Sequence, residues 1–131
     1  MVIVDSTIWV DYFNAFQTPE TDWLDFALDR QRLAITPLIL CEVLQGLRTE
    51  RDATEVATEL LRLEMLGGLT SEVAIRAAAS HRMLRRRGIT IRKTIDLLIA
   101  SFCIEAQHAL LHNDRDSDPF EQFLGLSVVH P

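Results

Sequence analysis

Hydrophobic and polar positions come in blocks along this chain rather than alternating residue by residue. Val2-Ile3-Val4, Leu33-Ala34-Ile35 and Ala109-Leu110-Leu111 are apolar runs too short for helices, the pattern of strands buried on both faces. Leu126 to Val129 predicts a last strand of the same kind. The intervening stretches carry helical periodicity. Ser6 to Phe16 presents Trp9, Tyr12, Phe13 and Phe16 on one face, and Glu20 to Arg30 carries Trp23, Leu24, Phe26 and Leu28. Thr36 and Pro37 have the form of an N-cap and first helical residue, opening a helix that ends near Arg48. A further helix is expected from Asp52 to Leu63. After the break at Gly67-Gly68, Thr70 or Ser71 caps a long helix to Arg87, stopped by Gly88. Thr94 opens a helix through Cys103, and Pro119 to Leu124 forms a short one. Short apolar strands separated by helices predict an α/β fold with a central parallel β-sheet flanked by α-helices.

The chemistry lies in acids that interrupt this pattern. Asp5 ends the first strand run, and Asp114 follows the third after His112-Asn113, so both carboxylates are expected at strand carboxyl ends, where α/β sheets bind ligands. Glu42 shares its helical face with Leu38, Ile39, Gln45 and Gly46, with no basic residue within one turn. Asp96 shares its face with Ile99, Ala100 and Cys103. A buried, unpaired carboxylate is costly, and two of them about 4 Å apart repel by roughly 4 kcal/mol at an effective dielectric near 20. A divalent cation would neutralise such a cluster. All the donors are hard oxygens, with no Cys or His at zinc spacing, which favours Mg²⁺ or Mn²⁺. Asp116 and Asp118 lie just beyond and could complete the set. Read singly, Asp5 could instead cap a helix, Asp96 could complement a helix dipole, and Asp114, Asp116 and Asp118 could be turn residues.

Composition narrows the class. At 131 residues and 48% hydrophobic content the chain is expected to be one domain with a single core. The start lacks a basic region and a long apolar region, and no run approaches membrane-spanning length, so the expectation is a cytoplasmic protein with no membrane association. Cys41 and Cys103 fall in apolar helical stretches and are expected to be small buried hydrophobes. The net charge of −6 argues against nucleic-acid binding by overall charge. Setting aside Asp5, Glu42, Asp96, Asp114 and Asp116 leaves the chain near neutral. Basic residues then concentrate in Arg82, Arg85, Arg86, Arg87, Arg92 and Lys93, which could hold phosphates beside the acids or simply form a solvated helix end.

Four segments carry a family resemblance: Val2-Ile3-Val4-Asp5-Ser6-Thr7, Ile35-Thr36-Pro37 through Glu42-Val43-Leu44-Gln45-Gly46, Thr94-Ile95-Asp96-Leu97-Leu98-Ile99-Ala100, and Leu111-His112-Asn113-Asp114-Arg115-Asp116. In this order the chain resembles the PIN domain, and more closely the VapC-type ribonuclease toxins of bacterial toxin–antitoxin pairs. The resemblance spans residues 1–131. It implies a PIN-like fold and endonucleolytic hydrolysis of RNA, often tRNA or ribosomal RNA. It also implies Mg²⁺ or Mn²⁺ held by Asp5, Glu42, Asp96 and Asp114, with Asp116 as a fifth acid. The substrate-facing residues expected beside them are Arg85, Arg86, Arg92, Lys93, Ser6 and Asn113. The implied partners are a second copy in a homodimer and a VapB-like antitoxin, whose tail lies in a hydrophobic groove. His112 stands where many relatives have Ser or Thr, and it is expected either to touch substrate or to bond to backbone.

Two other classes compete. A receiver or small phosphatase needs a further acid soon after Asp5, where this chain has Ser6-Thr7, and Lys93 is the only lysine available to a receiver. A PIN-like interaction module without catalysis would keep the fold but not the ion.

Overall fold

A computed structural model describes all 131 residues. The first strand, β1 (Val2–Val4), leads directly into helix α1 (Ser6–Phe13), then α2 (Pro19–Ala27), β2 (Leu33–Ile35), α3 (Pro37–Gln45) and α4 (Glu50–Leu60). A short β3 (Glu64–Met65) precedes the long α5 (Ser71–Arg86), then α6 (Thr94–Ala106) and β4 (Ala109–Leu111). A 3-10 turn at Arg115–Ser117 runs into α7 (Asp118–Leu124).

The strands form one sheet in the order β3-β2-β1-β4, and every pairing is parallel. Because β1 is central, it is hydrogen-bonded on both sides: Ile3 faces Ala34 of β2 and Leu110 of β4. Its two neighbours are reached by the chain in opposite directions, which opens a crevice at the strands' carboxyl ends. Helices cover both faces, and Ile3, Val4, Ile35 and Leu111 have no solvent exposure. The expected parallel sheet flanked by helices is thus observed.

Threonines set most of the helix starts. Thr18, Thr36, Thr49 and Thr70 each accept an N–H from the residue three positions on, at 3.0 to 3.3 Å. Thr49 starts α4 at Glu50, earlier than expected, and the helix also ends earlier, at Leu60. Helix α3 closes at Gln45 with Gly46 as its cap rather than near Arg48.

Other departures have identifiable causes. Helix α1 ends at Phe13, not Phe16, because Ala15 takes a left-handed φ of 56° and the Phe16 N–H turns back to the Asp11 carbonyl at 2.8 Å. Phe16 therefore leaves the aromatic face and is 62% exposed. The predicted strand at Leu126 to Val129 is a single parallel bridge, Leu110 with Val128. The Leu126 N–H is committed to the Phe120 carbonyl at 3.1 Å, closing α7, so pairing cannot begin there. Strand β3 has no counterpart in the sequence reading, since Glu64 and Met65 are both exposed and form no apolar run. Cys41 is exposed rather than buried, lying two residues from both buried Ile39 and Val43 and hence on the opposite side of α3; Cys103 is buried as expected.

Candidate functional site

The crevice beyond β1 and β4 collects the acids. Asp5 is the first residue after β1, and its N–H donates to the Leu111 carbonyl at 3.0 Å, locking the ends of the two strands together. By position Asp5 is the N-cap of α1, and its carbonyl accepts the N–H groups of Ile8 and Trp9. Its carboxylate, however, makes no capping hydrogen bond, and its one side-chain donor is Thr7 Oγ1 at a long 3.5 Å. Capping therefore accounts for the Asp5 backbone and not for its charge.

Glu42 points inward from α3. Its Oε1 is buried and has no hydrogen-bond partner. Asp96 sits in the first turn of α6, after Lys93, which occupies the N-cap position without a side-chain capping bond. Asp114 follows β4, and its Oδ1 accepts the Asp116 N–H at 2.9 Å, so one of its oxygens does cap the 3-10 turn.

Electrostatics tie these groups into one neighbourhood. Burial pushes the Asp5 carboxyl up to about 6, and Asp96, Glu42 and Asp114 add to that rise against the Ser6 backbone N–H. Glu42 is raised by burial first and then by Asp96, with the Ser6 side chain and Lys93 opposing. Asp96 is raised by burial first; Lys93 and His112 oppose, while Asp114 and Asp116 add. The structure thus brings Asp5, Glu42, Asp96 and Asp114 together, with exposed Asp116 at the edge. Asp118, exposed at the start of α7, does not act on Asp5, Glu42 or Asp96. No three His, Cys, Asp or Glu side chains form a ready-made cage around one point. Cys103 adds no soft donor, because burial and then Asp5 push its thiol up to about 12.

The residues expected to face substrate divide. Lys93 acts on both Glu42 and Asp96, and Ser6 meets Glu42. Asn113 Oδ1 accepts the Thr7 hydroxyl at 3.3 Å. Arg85, Arg86 and Arg92 are exposed, form no ion pair and do not act on the three raised acids. Sequence reasoning missed Thr7, whose hydroxyl lies within reach of both Asp5 and Asn113 and so bridges the two strand ends. Its only signal was its place two residues after Asp5. His112 takes the backbone-bonded alternative: it is buried, and its Nδ1 accepts the Asp114 N–H at 3.2 Å.

A raised acid has a definite sign in stability. Asp5 binds its proton more tightly folded, at about 6, than unfolded, near 3.8, so the folded state holds more protons between those values. Its cost to the fold is absent below the lower value, grows as pH rises, and is complete above the upper one. In chelator, stability should therefore fall between pH of about 4.5 and about 7.5, and Asp5→Asn should raise it at the upper pH by roughly 1–3 kcal/mol. Urea denaturation at both pH values checks this; a variant less stable than wild type at the upper pH would show that the carboxylate is not strained.

Comparison with known proteins follows this geometry. The PIN domain profile matches residues 2–123. Over 132 aligned residues the chain is 29% identical to ribonuclease VapC11 of Mycobacterium tuberculosis, covering 98% of each chain. A VapC ribonuclease of Mycobacterium bovis matches to the same extent. Among solved structures, VapBC of Salmonella typhimurium bound to DNA superposes with a TM-score of 0.74 at 25% identity, covering 98% of this chain and 96% of that one. VapBC2 of Rickettsia felis, bound to a promoter DNA fragment, gives 0.77 at 21% identity and covers 98% of both chains. With its parallel sheet, its acids gathered at the strand ends and a family match running nearly end to end, this chain belongs to the PIN domain family.

Proposed function

We propose that this protein is a metal-dependent endoribonuclease, the toxin of a VapBC-type pair, acting as one PIN domain over residues 1–131. The observation that carries the reading is electrostatic. Burial and then neighbouring carboxylates make Asp5, Glu42 and Asp96, from three separate elements, hold protons more tightly, Asp114 adds to the rise at Asp5 and Asp96, and Glu42 has a buried oxygen with no partner. A set of hard oxygens in that condition fits Mg²⁺ or Mn²⁺. Mg²⁺ keeps several waters and takes one or two carboxylates directly, so the remaining acids would act through its waters.

In this reading Asp5, Glu42, Asp96 and Asp114 hold the ion, and Asp116 supports it from the rim. When bound, the cation supplies the positive charge that offsets the charge developing on a phosphodiester in hydrolysis and makes water a better nucleophile. The chain's own contribution is positioning. The charge of exposed Lys93 acts on Glu42 and Asp96, and in this reading its ammonium holds a flanking phosphate. Ser6, Thr7 and Asn113 present hydroxyl and amide groups around the acids and keep the two strand ends in register. Arg85, Arg86 and Arg92 lie free on the surface for RNA backbone farther out, in a tRNA or ribosomal RNA target.

The names of the relatives support ribonuclease activity and pairing with an antitoxin, and the proposal extends both to this chain as a cytoplasmic protein that also forms homodimers. A cleft of about 600 Å³ between the end of α1 and α4 is the place we assign to the antitoxin segment. Phe13, Leu47 and Val56 line it together with the acids Asp52, Glu55 and Glu59, so it fits a segment carrying both apolar and basic side chains.

Two outcomes test these proposals. Purified protein with millimolar Mg²⁺ or Mn²⁺ should cleave RNA, and Asp5→Asn and Asp96→Asn should each lose more than about 100-fold while staying folded, since even outer partners of metal ligands cost about 10–100-fold. Metal-dependent cleavage surviving in both variants sinks the assignment. Replacing Glu55 and Glu59 together by Lys should leave cleavage intact but weaken neutralisation by the cognate antitoxin; unchanged affinity would remove the antitoxin from this cleft.

A further inference from the structure

Charge in this chain is segregated. The four arginines held in ion pairs, Arg32, Arg51, Arg62 and Arg76, all lie outside the segment from Arg82 to Lys93. Inside it Arg82, Arg85, Arg86, Arg87, Arg92 and Lys93 are exposed and none is ion-paired, although the chain has a net charge of −6. One of these cations is nevertheless fixed. Arg87 caps α5 with its N–H on the Leu84 carbonyl at 2.9 Å, and its guanidinium carbon lies 4.9 Å from the ring centroid of Phe123.

Phe123 belongs to α7, which buried Phe120 anchors in the core, yet Phe123 itself is 40% exposed. Helix α7 packs on α5 and on the 3-10 turn that Asp114 caps and Asp116 occupies. Phe123 lies five residues past the start of α7, about 8 Å along its axis. A part-exposed ring thus stands beside a row of unpaired cations, on the helix that continues from two of the site's acids. A polyanion with flat apolar faces matches both features: phosphates meet the cations, and a base stacks on the ring or on the guanidinium plane. The molecule's other arginine–phenylalanine pair does not fit this description. Arg30 lies 4.4 Å from the Phe26 ring, but Asp22 and Asp25 share α2 with that ring and Asp29 follows, so RNA is repelled there.

We infer that Arg87 and Phe123 form a stacking platform for one unpaired base of the RNA. Arg85 and Arg86, on the same end of α5, neutralise the adjoining phosphates. The platform selects by structure, because a base inside a duplex has both faces covered by its neighbours, and only a single strand, loop or bulge presents a face to Phe123. It selects little by sequence, since every base has such a face. This inference rests on the RNA-binding part of the ribonuclease reading and concerns groups outside the acid cluster, so it needs no cation.

Binding measured in chelator, so that RNA stays whole, tests the platform with three probes: a short RNA single strand, the same strand in a duplex, and an abasic strand of equal length. Wild type should prefer the base-bearing single strand. Phe123→Leu keeps apolar packing but removes the aromatic face; it should weaken the single strand by about tenfold and change the duplex and the abasic strand by less than about twofold. Phe123→Trp should restore single-strand affinity. The salt dependence of binding should be unchanged in Phe123→Leu and shallower when Arg85 and Arg86 are both replaced by Gln. A Leu variant that binds the single strand as tightly as wild type, or that loses the abasic strand equally, overturns the inference. So does a Leu variant with intact RNA binding and lost affinity for the antitoxin, which would make this surface a protein contact. Wild type that binds the single strand through Phe123 yet leaves it uncut with Mg²⁺ or Mn²⁺ defeats the ribonuclease reading and leaves the platform standing.

Discussion

Burial of carboxylates that the backbone will let neither return to water nor separate is the condition around which this molecule is arranged. Asp5 cannot retreat, because its N–H is bonded to Leu111 and its carbonyl starts α1. Glu42 and Asp96 project from helices that are packed down through Ile39, Val43, Ile99 and Cys103. Rotating either helix to relieve the acids would expose those side chains, each of which contributes on the order of 1.5–3 kcal/mol by its burial. Hydrophobic packing thus holds these acids out of water and close to one another, and Asp5, Glu42 and Asp96 respond, to burial first and to neighbouring carboxylates second, by gripping protons more tightly.

The groups around the acids moderate that strain without abolishing it. Lys93 is the one lysine in the chain, and it acts on two of the acids. Thr7 lies between Asp5 and Asn113, and His112 accepts the N–H of Asp114 just before the 3-10 turn. None of these supplies a full counter-charge to the cluster. A fold with less strain would replace one acid by an amide, and the persistence of all of them is what a divalent ion would explain.

Much of this was legible in the sequence because it depends on local rules. Apolar runs located β1, β2 and β4, and the Thr36-Pro37 pair located the start of α3, so the positions of Asp5 and Asp114 beyond strand ends and of Glu42 within α3 followed from spacing alone. Glu42 has no basic neighbour within one turn, and one of its oxygens, Oε1, is buried without a partner. What was not legible depends on contacts between distant segments. Strand β3 exists because β2 offers a free edge to Glu64 and Met65, not because those residues favour it. The end of α1 was set by a left-handed Ala15, a residue that carries no turn signal. The exposure of Cys41 required knowing which side of α3 meets the sheet. The bridging by Thr7 joins residues far apart in sequence, and no periodicity marks it.

The account stands on the claim that these oxygens converge on one cation. Crystals grown with Mn²⁺ and measured for anomalous scattering address it directly. A peak enclosed by the carboxylates of Asp5, Glu42, Asp96 and Asp114, beyond the ends of β1 and β4, is the predicted result. A strong peak elsewhere on the molecule, or none between these acids at millimolar Mn²⁺, would contradict it.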